Sequence, residues 1–145
     1  VGAGSGSFGR PLSWPISWGG ATIDVRETRQ YLGSAPEYPV ITHHGPSRDL
    51  QIENEALGLK LDFTGHQVQD DEIVTIDLRP GYKRVSSDTG ETTFADLTTD
   101  SNLATWHIAP ASEVIGGANT IRISCQGANA YTTIHLLGYE RYVSI

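Results

Sequence analysis

Apolar and polar residues alternate along two segments of this chain, residues 73–78 and residues 120–125. A period of two places successive side chains on opposite faces of a strand, and Gly, Pro or Asn at an end of each segment provides a turn. Strands this short and closely spaced leave no room for helical crossovers, so the sequence predicts an antiparallel β-sandwich or barrel. The strands predicted from this pattern are residues 21–26, 38–43, 50–54, 57–63, 73–78, 82–85, 104–108, 120–125 and 131–137, followed by a last apolar segment at 139–145.

Several strands have one apolar face, as the two inner surfaces of a sandwich require. The residues that share such faces are Leu57, Leu59, Leu61 and Phe63 in one strand and Val74, Ile76 and Leu78 in another. Cys125, the single cysteine, shares a face with Ile121 and Ile123 and is predicted to be a core residue rather than a reactive thiol. Trp106 alternates with apolar neighbours and is also predicted to be core. One short helical turn is expected within residues 93–103.

Composition narrows the possible functions. Of the 145 residues, 38% are hydrophobic, which is typical of a folded domain with a core. Seventeen acidic residues against ten basic ones give a net charge of −7, which disfavours binding to nucleic acid or to an anionic membrane. No apolar run is long enough to cross a bilayer. We expect residues 1–20 to be an irregular lead-in or linker, residues 21–145 to form a single β-sandwich domain, and the chain to be part of a longer protein.

Two tryptophans are the candidate ligand-binding residues. Trp14 and Trp18 lie in a segment rich in Gly and Pro, where exposed indole rings would stack on a glycan. The alternative is that both rings close one end of the sandwich, because large aromatic side chains in a small domain are usually needed for packing. The sequence favours the packing role for both tryptophans and leaves glycan binding as the alternative.

Two polar clusters are candidate metal sites, and the sequence supports neither of them strongly. His43 and His44 are adjacent, so in a strand they point to opposite faces and cannot easily share one ion. Residues 70–72, with Asp62 nearby in sequence, could bind Ca²⁺, but they lack the regular spacing of a calcium loop and read better as a solvated turn. We therefore predict no metal and no cofactor.

No catalytic motif stands out. Residues 4–9 match the spacing of a dinucleotide-binding loop, but no strand precedes them and Pro11 follows where a helix should begin. A carboxylate pair for glycoside hydrolysis could form between any two acids, and nothing points to a particular pair. The chain is predicted not to be an enzyme.

From residue 36 onward the chain resembles a known family, the C-terminal domain of siphophage distal tail proteins and related phage minor tail proteins. The resemblance covers about three quarters of the chain and rests on the order and spacing of several elements. In order, these are Tyr38-Pro39-Val40-Ile41 with Gly45-Pro46, Leu50-Gln51-Ile52-Glu53-Asn54, Asp71-Glu72-Ile73-Val74-Thr75-Ile76-Asp77 with Arg79-Pro80-Gly81, Ser101-Asn102-Leu103-Ala104-Thr105-Trp106-His107-Ile108, and Asn119-Thr120-Ile121-Arg122-Ile123.

This resemblance implies a jelly-roll-like β-sandwich, similar to galectins and carbohydrate-binding modules, with a structural role in the virion. Full-length members form homo-oligomeric rings at the tail tip or baseplate, assembled in the host cytoplasm, between the tail tube and the tail-associated lysin or receptor-binding protein. The ring-building N-terminal domain has no counterpart in these residues, and residues 110–119 are longer than the compact turn of relatives. A carbohydrate-binding module that contacts host cell-surface glycan is the alternative expectation.

Overall fold

A computed structural model describes residues 6–17 and 22–143 of the chain. Within these residues the secondary structure consists of ten strands and two short 3₁₀ turns. The strands are β1 Gly6–Ser17, β2 Ile23–Gln30, β3 Val40–His44, β4 Ser47–Asn54, β5 Leu59–Asp62, β6 Gln67–Val68, β7 Ile73–Asp77, β8 Arg84–Ser87, β9 Ala118–Gln126 and β10 Thr133–Val143, and the 3₁₀ turns are Phe94–Asp96 and Ile115–Gly117. The turn at Phe94–Asp96 confirms the helical turn predicted between residues 93 and 103.

The strands form two antiparallel sheets, which confirms the predicted all-β sandwich. One sheet has the order β1-β10-β3-β7-β8, and the other has the order β2-β9-β4-β5, with β6 paired to β4. The inner faces of both sheets contribute to one hydrophobic core, and Trp106 and Cys125 belong to it as predicted. The strand residues of this core are Ile41, Val74, Ile76, Val85, Ile134 and Leu136 from the first sheet and Ile23, Leu50, Ile52, Leu61, Val68, Ile121, Ile123 and Cys125 from the second.

Residues 6–17 form strand β1, whereas the sequence predicted an irregular lead-in there. The strand pairs with β10, and its register shifts between Phe8 and Pro11. Pro11 and Pro15 suppress the strand signal because proline cannot donate a ladder hydrogen bond. β1 lies at the edge of its sheet and has a neighbouring strand on one side only. Edge strands are the positions in a sheet where proline is tolerated.

The C-terminal strand is continuous across Gly138, where the sequence predicted a break between two segments. A Cβ at this position would lie 2.8 Å from Oε2 of Glu37, whose carboxylate packs against the strand. Glu37 accepts a hydrogen bond from the backbone N–H of Tyr139. The glycine therefore makes room for a buried carboxylate and does not end the strand.

Residues 104–108 are not a strand, although the alternation predicted one, and only Ile108 makes an isolated bridge, to Glu37. The segment before it closes the free edge of β5 instead. Asn102 Oδ1 accepts from the N–H of Lys60 at 2.9 Å, and Ser101 Oγ accepts from the N–H of Asp62 at 2.9 Å. Side-chain oxygens thus accept hydrogen bonds from the backbone N–H groups of β5, along an edge that would otherwise be open to pairing with another chain.

Candidate functional site

The structure does not test the prediction that Trp14 and Trp18 bind a ligand. The backbone of Trp14 lies in β1 opposite Leu136, and its side chain is outside the described part of the chain. Trp18 lies outside the described residues altogether. Trp106 is fully buried, and its indole N–H has no hydrogen-bond partner among the residues described.

A shallow groove of about 290 Å³ lies on the outer face of the first sheet. We call it the outer groove, and its lining residues are Glu37, Tyr38, Val40, Arg79, Leu137, Gly138, Tyr139 and Arg141. Leu137 is 48% exposed and Tyr139 is 44% exposed, on the same side of β10. Val40 pairs directly with Leu137 across the strands. The centre of the groove is therefore an apolar and aromatic surface facing solvent.

The charges beside the outer groove are neutralised within the domain. Arg79 donates to both carboxylate oxygens of Asp77, at 3.0 and 2.7 Å. These hydrogen bonds hold the pKa of Asp77 below its usual value and raise that of Arg79. On the other side, Nε of Arg141 donates to Glu37 at 2.7 Å, and the Glu37 carboxylate is buried. A partner that covered this groove would bury charges that are already paired, and it would leave none of these four charges without its counter-ion.

Tyr38 is held in place by two neighbours at the rim of the groove. The ammonium of Lys83 lies 4.1 Å from the centre of the Tyr38 ring, and the ring of His107 lies 5.5 Å from it. The Lys83 ammonium nitrogen is buried and has no hydrogen-bond partner among the described residues, so burial lowers its pKa. The cation–π contact compensates part of that desolvation.

A second concavity, of about 360 Å³, lies where three loops meet at one end of the sandwich. We call it the end cleft, and it is lined by His44, Gly45, Pro46, Asp70, Asp71, Asn129 and Tyr131. The loops are the β3–β4, β6–β7 and β9–β10 connections. The end cleft and the outer groove lie at opposite ends of β3, since His44 lines one and Val40 lines the other.

Tyr131 is the residue of the end cleft that the sequence did not single out. The predicted strand began at Tyr131, whereas β10 begins at Thr133, so Tyr131 lies in the loop. Its side chain is 76% exposed. The hydrogen bond from its backbone N–H to Oδ1 of Asn129 marks a turn, and Asn at position 129 was the available signal for that turn.

The two polar clusters considered for metals meet at this cleft without forming a metal site. His43 is buried and His44 is half-buried on the opposite face, as their adjacency predicted. Asp70 and Asp71 are exposed in a turn, as predicted, but Glu72 is buried and Asp62 accepts hydrogen bonds from Thr64 elsewhere. Among the residues that the structure describes, no three His, Cys, Asp or Glu side chains are grouped to bind a metal.

Beneath the end cleft lies a buried His–Ser pair. Nδ1 of His43 donates to the carbonyl of Thr133 at 2.9 Å, so Nε2 accepts from the hydroxyl of Ser47 at 2.8 Å. Burial lowers the pKa of His43 to about 4, which keeps the ring neutral. A serine next to a histidine resembles a nucleophile and its base, but Ser47 is 1% exposed and cannot meet a substrate in this conformation. The pair instead ties together the start of β4 and the start of β10.

The carboxylate of Glu72 holds the acidic loop of the cleft. Its Oε1 accepts from the N–H of Gln69 at 2.9 Å, and its Oε2 accepts from the hydroxyl of Thr92 at 2.5 Å. The carbonyl of Glu72 accepts from the N–H of Gly45 at 2.9 Å, which joins this loop to the β3–β4 connection. The sequence predicted that Glu72 lies in a solvated turn. Its contacts with Thr92 and Gly45 are visible only in the tertiary structure.

Comparison with protein-family models, curated proteins and solved structures finds no match to this chain. Within residues 6–17 and 22–143, no helix has the length and hydrophobicity needed to span a membrane.

Proposed function

We propose that this chain is a noncatalytic structural domain of a phage or prophage tail tip, corresponding to the C-terminal domain of a distal or minor tail protein. The ordered sequence elements from residue 38 to residue 123 support the family, and the antiparallel sandwich agrees with the fold that the family implies. A jelly-roll-like strand order, location in the virion and incorporation of the full-length protein into a ring are parts of the same proposal.

The outer groove is the observation that carries the structural role. Leu137 and Tyr139 expose apolar surface on a rigid sheet, and aromatic residues and arginines are enriched where proteins dock. The neighbouring charges are paired within the domain, so a partner that covers the groove would not bury an unpaired charge. We propose that the occupant is an apolar surface of an adjacent tail protein, either the tail tube or the tail-associated lysin or receptor-binding protein.

Immunoelectron microscopy tests the location. Antibodies raised against the purified domain would be applied to virions of the phage, or of the induced prophage, that encodes the chain. We expect label at the end of the tail distal to the head. Virions that contain no peptide of this chain by mass spectrometry would refute the proposal.

Charge substitutions in the groove test the docking surface. Leu137→Asp and Tyr139→Asp place a carboxylate in the centre of the groove, and we expect tails that lack the adjacent protein while the purified domain still folds. Ile115→Asp is the matched control, because Ile115 is 97% exposed in the 3₁₀ turn outside the groove. Normal tails from both groove variants would contradict docking through this surface.

A further inference from the structure

The end cleft has an aromatic face and hydrogen-bonding groups that no described residue uses. Tyr131 exposes its ring, and the carboxylates of Asp70 and Asp71 make no hydrogen bond or ion pair with other residues in the described part of the chain. Asn129 accepts with Oδ1 from the backbone of Tyr131, and its Nδ2 group has no hydrogen bond within the same residues. One aromatic wall therefore lies beside several available acceptors and a donor.

The loops that carry these groups are held by buried contacts. The hydroxyl of Thr132 donates to the carbonyl of Pro46 at 2.8 Å, and Thr132 Oγ1 also accepts from the N–H of Asn129. The N–H of Gly45 donates to the carbonyl of Glu72. Both Thr132 and Glu72 are buried, so all three loops are fixed from below. A site that is already ordered loses little conformational entropy when a ligand binds.

We propose that the end cleft binds a saccharide, with one pyranose ring stacked on Tyr131. The C–H face of a pyranose is apolar and packs on an aromatic ring, whereas its rim carries hydroxyl donors. The carboxylates of Asp70 and Asp71 can accept O–H hydrogen bonds, and bonds to a carboxylate are stronger than those to a neutral acceptor. An apolar wall with a few convergent polar groups is the usual composition of a small-molecule site.

Other ligand classes match the cleft less well. A divalent cation requires several oxygen ligands around one point, and no such grouping of His, Cys, Asp or Glu exists among the described residues. An organic cation could lie over Tyr131 near the two aspartates. Such a ligand would leave the donor of Asn129 without a partner, whereas a sugar hydroxyl can accept from it.

The saccharide site is independent of the proposed docking through the outer groove, because the two surfaces lie at opposite ends of β3. Loss of sugar binding would leave the tail assembly proposal intact, and failure of the assembly experiment would leave the sugar site intact. The two tests therefore fail separately.

The test is a ¹H–¹⁵N NMR titration of the purified chain with glucose, galactose, mannose, rhamnose, N-acetylglucosamine and N-acetylgalactosamine, and with tetramethylammonium and CaCl₂ as separate arms. We expect at least one sugar to shift the amides of residues 44–45, 70–71 and 129–131 in a saturable manner. Tyr131→Ala should weaken that sugar about tenfold or more, and Tyr131→Phe should retain it, because the ring and not the hydroxyl provides the stacking surface.

Two further variants separate the carboxylates from the backbone. Asp71 has a positive φ of 40°, so Asn is the suitable replacement there, since Asn tolerates the left-handed region. Asp70→Asn and Asp71→Asn should each weaken the sugar several-fold while the fold is kept. Tyr82→Ala, which removes a 61% exposed tyrosine outside the cleft, is the control and should bind as the unmodified chain does.

Three outcomes would overturn the proposal. The first is that neither the six sugars nor tetramethylammonium nor Ca²⁺ shifts the cleft amides. The second is that tetramethylammonium or Ca²⁺ shifts them and no sugar does, which would assign the cleft to a cation. The third is that a sugar binds equally well to Tyr131→Ala, which would place the sugar elsewhere on the chain.

Discussion

Acidification is expected to destabilise this domain by about 3 kcal/mol through the side chain of His43 alone. The ring is buried between Thr133 and Ser47, and burial lowers its pKa from 6.5 to about 4. The unfolded chain takes up a proton below pH 6.5, while the folded chain does not do so until about pH 4. The neutral ring therefore contributes its full stability above pH 6.5, and this stability is lost as the pH falls from 6.5 to 4.

The magnitude follows from the difference between these two pKa values. One pH unit corresponds to about 1.36 kcal/mol, so a difference of about 2.5 units gives about 3 kcal/mol. Many carboxylates also titrate in this range, so the unmodified chain alone does not isolate the effect. The comparison with a chain that lacks only this imidazole does.

Urea unfolding followed by tryptophan fluorescence at several pH values between 7 and 4 is the assay. We expect the free energy of unfolding of His43→Phe to fall by about 3 kcal/mol less over this range than that of the unmodified chain. His44→Phe is the matched control, because it removes the adjacent, half-buried ring and leaves His43 in place. NMR titration of the His43 ring in the unmodified chain provides a measurement that needs no variant. Parallel pH profiles for the unmodified chain and His43→Phe, or a ring that titrates near pH 6.5, would refute the reasoning.

Three further substitutions or reactions test the packing. Gly45→Ala should destabilise the domain by about 1–3 kcal/mol in urea unfolding, because its Cβ would lie 2.1 Å from a backbone oxygen of the β6–β7 loop, and an unchanged midpoint would show that the loop moves freely. Asn119→Ala should cost about 1–3 kcal/mol or more in the same assay, since this buried amide bonds Ala109, Gly117 and Asn54, and a loss below that range would mean that water replaces it. Cys125 is buried and its thiol pKa is raised to about 11, so a thiol reagent should label it at neutral pH only when urea unfolds the chain, and rapid labelling of the folded chain would contradict its burial.

Local alternation was enough to locate most of the central strands. β7 and β9 lie within one to two residues of the predicted segments, and the residues predicted to face inward from them are buried. The opposite orientation of His43 and His44 follows from the same period of two, which is a property of any extended backbone. The prediction was wrong at residues 6–17, where prolines concealed an edge strand. It was also wrong at residues 104–108, which follow the loop that covers the edge of β5 and do not form a strand.

The amino-acid sequence by itself determined the sandwich class and the identity of the core, because both depend on which side chains face inward along a single strand. Only the tertiary structure decided which loops meet, and with them the end cleft and the outer groove. Asp70 and Tyr131 are far apart in sequence, and their meeting depends on the pairing of β3, β7 and β10. The burial of Glu72 and Glu37 was equally hidden, because a carboxylate is buried only where other groups donate hydrogen bonds to it. The Thr92 hydroxyl and the Tyr139 N–H, which donate to them, lie far away in the sequence. No local pattern contains those partners.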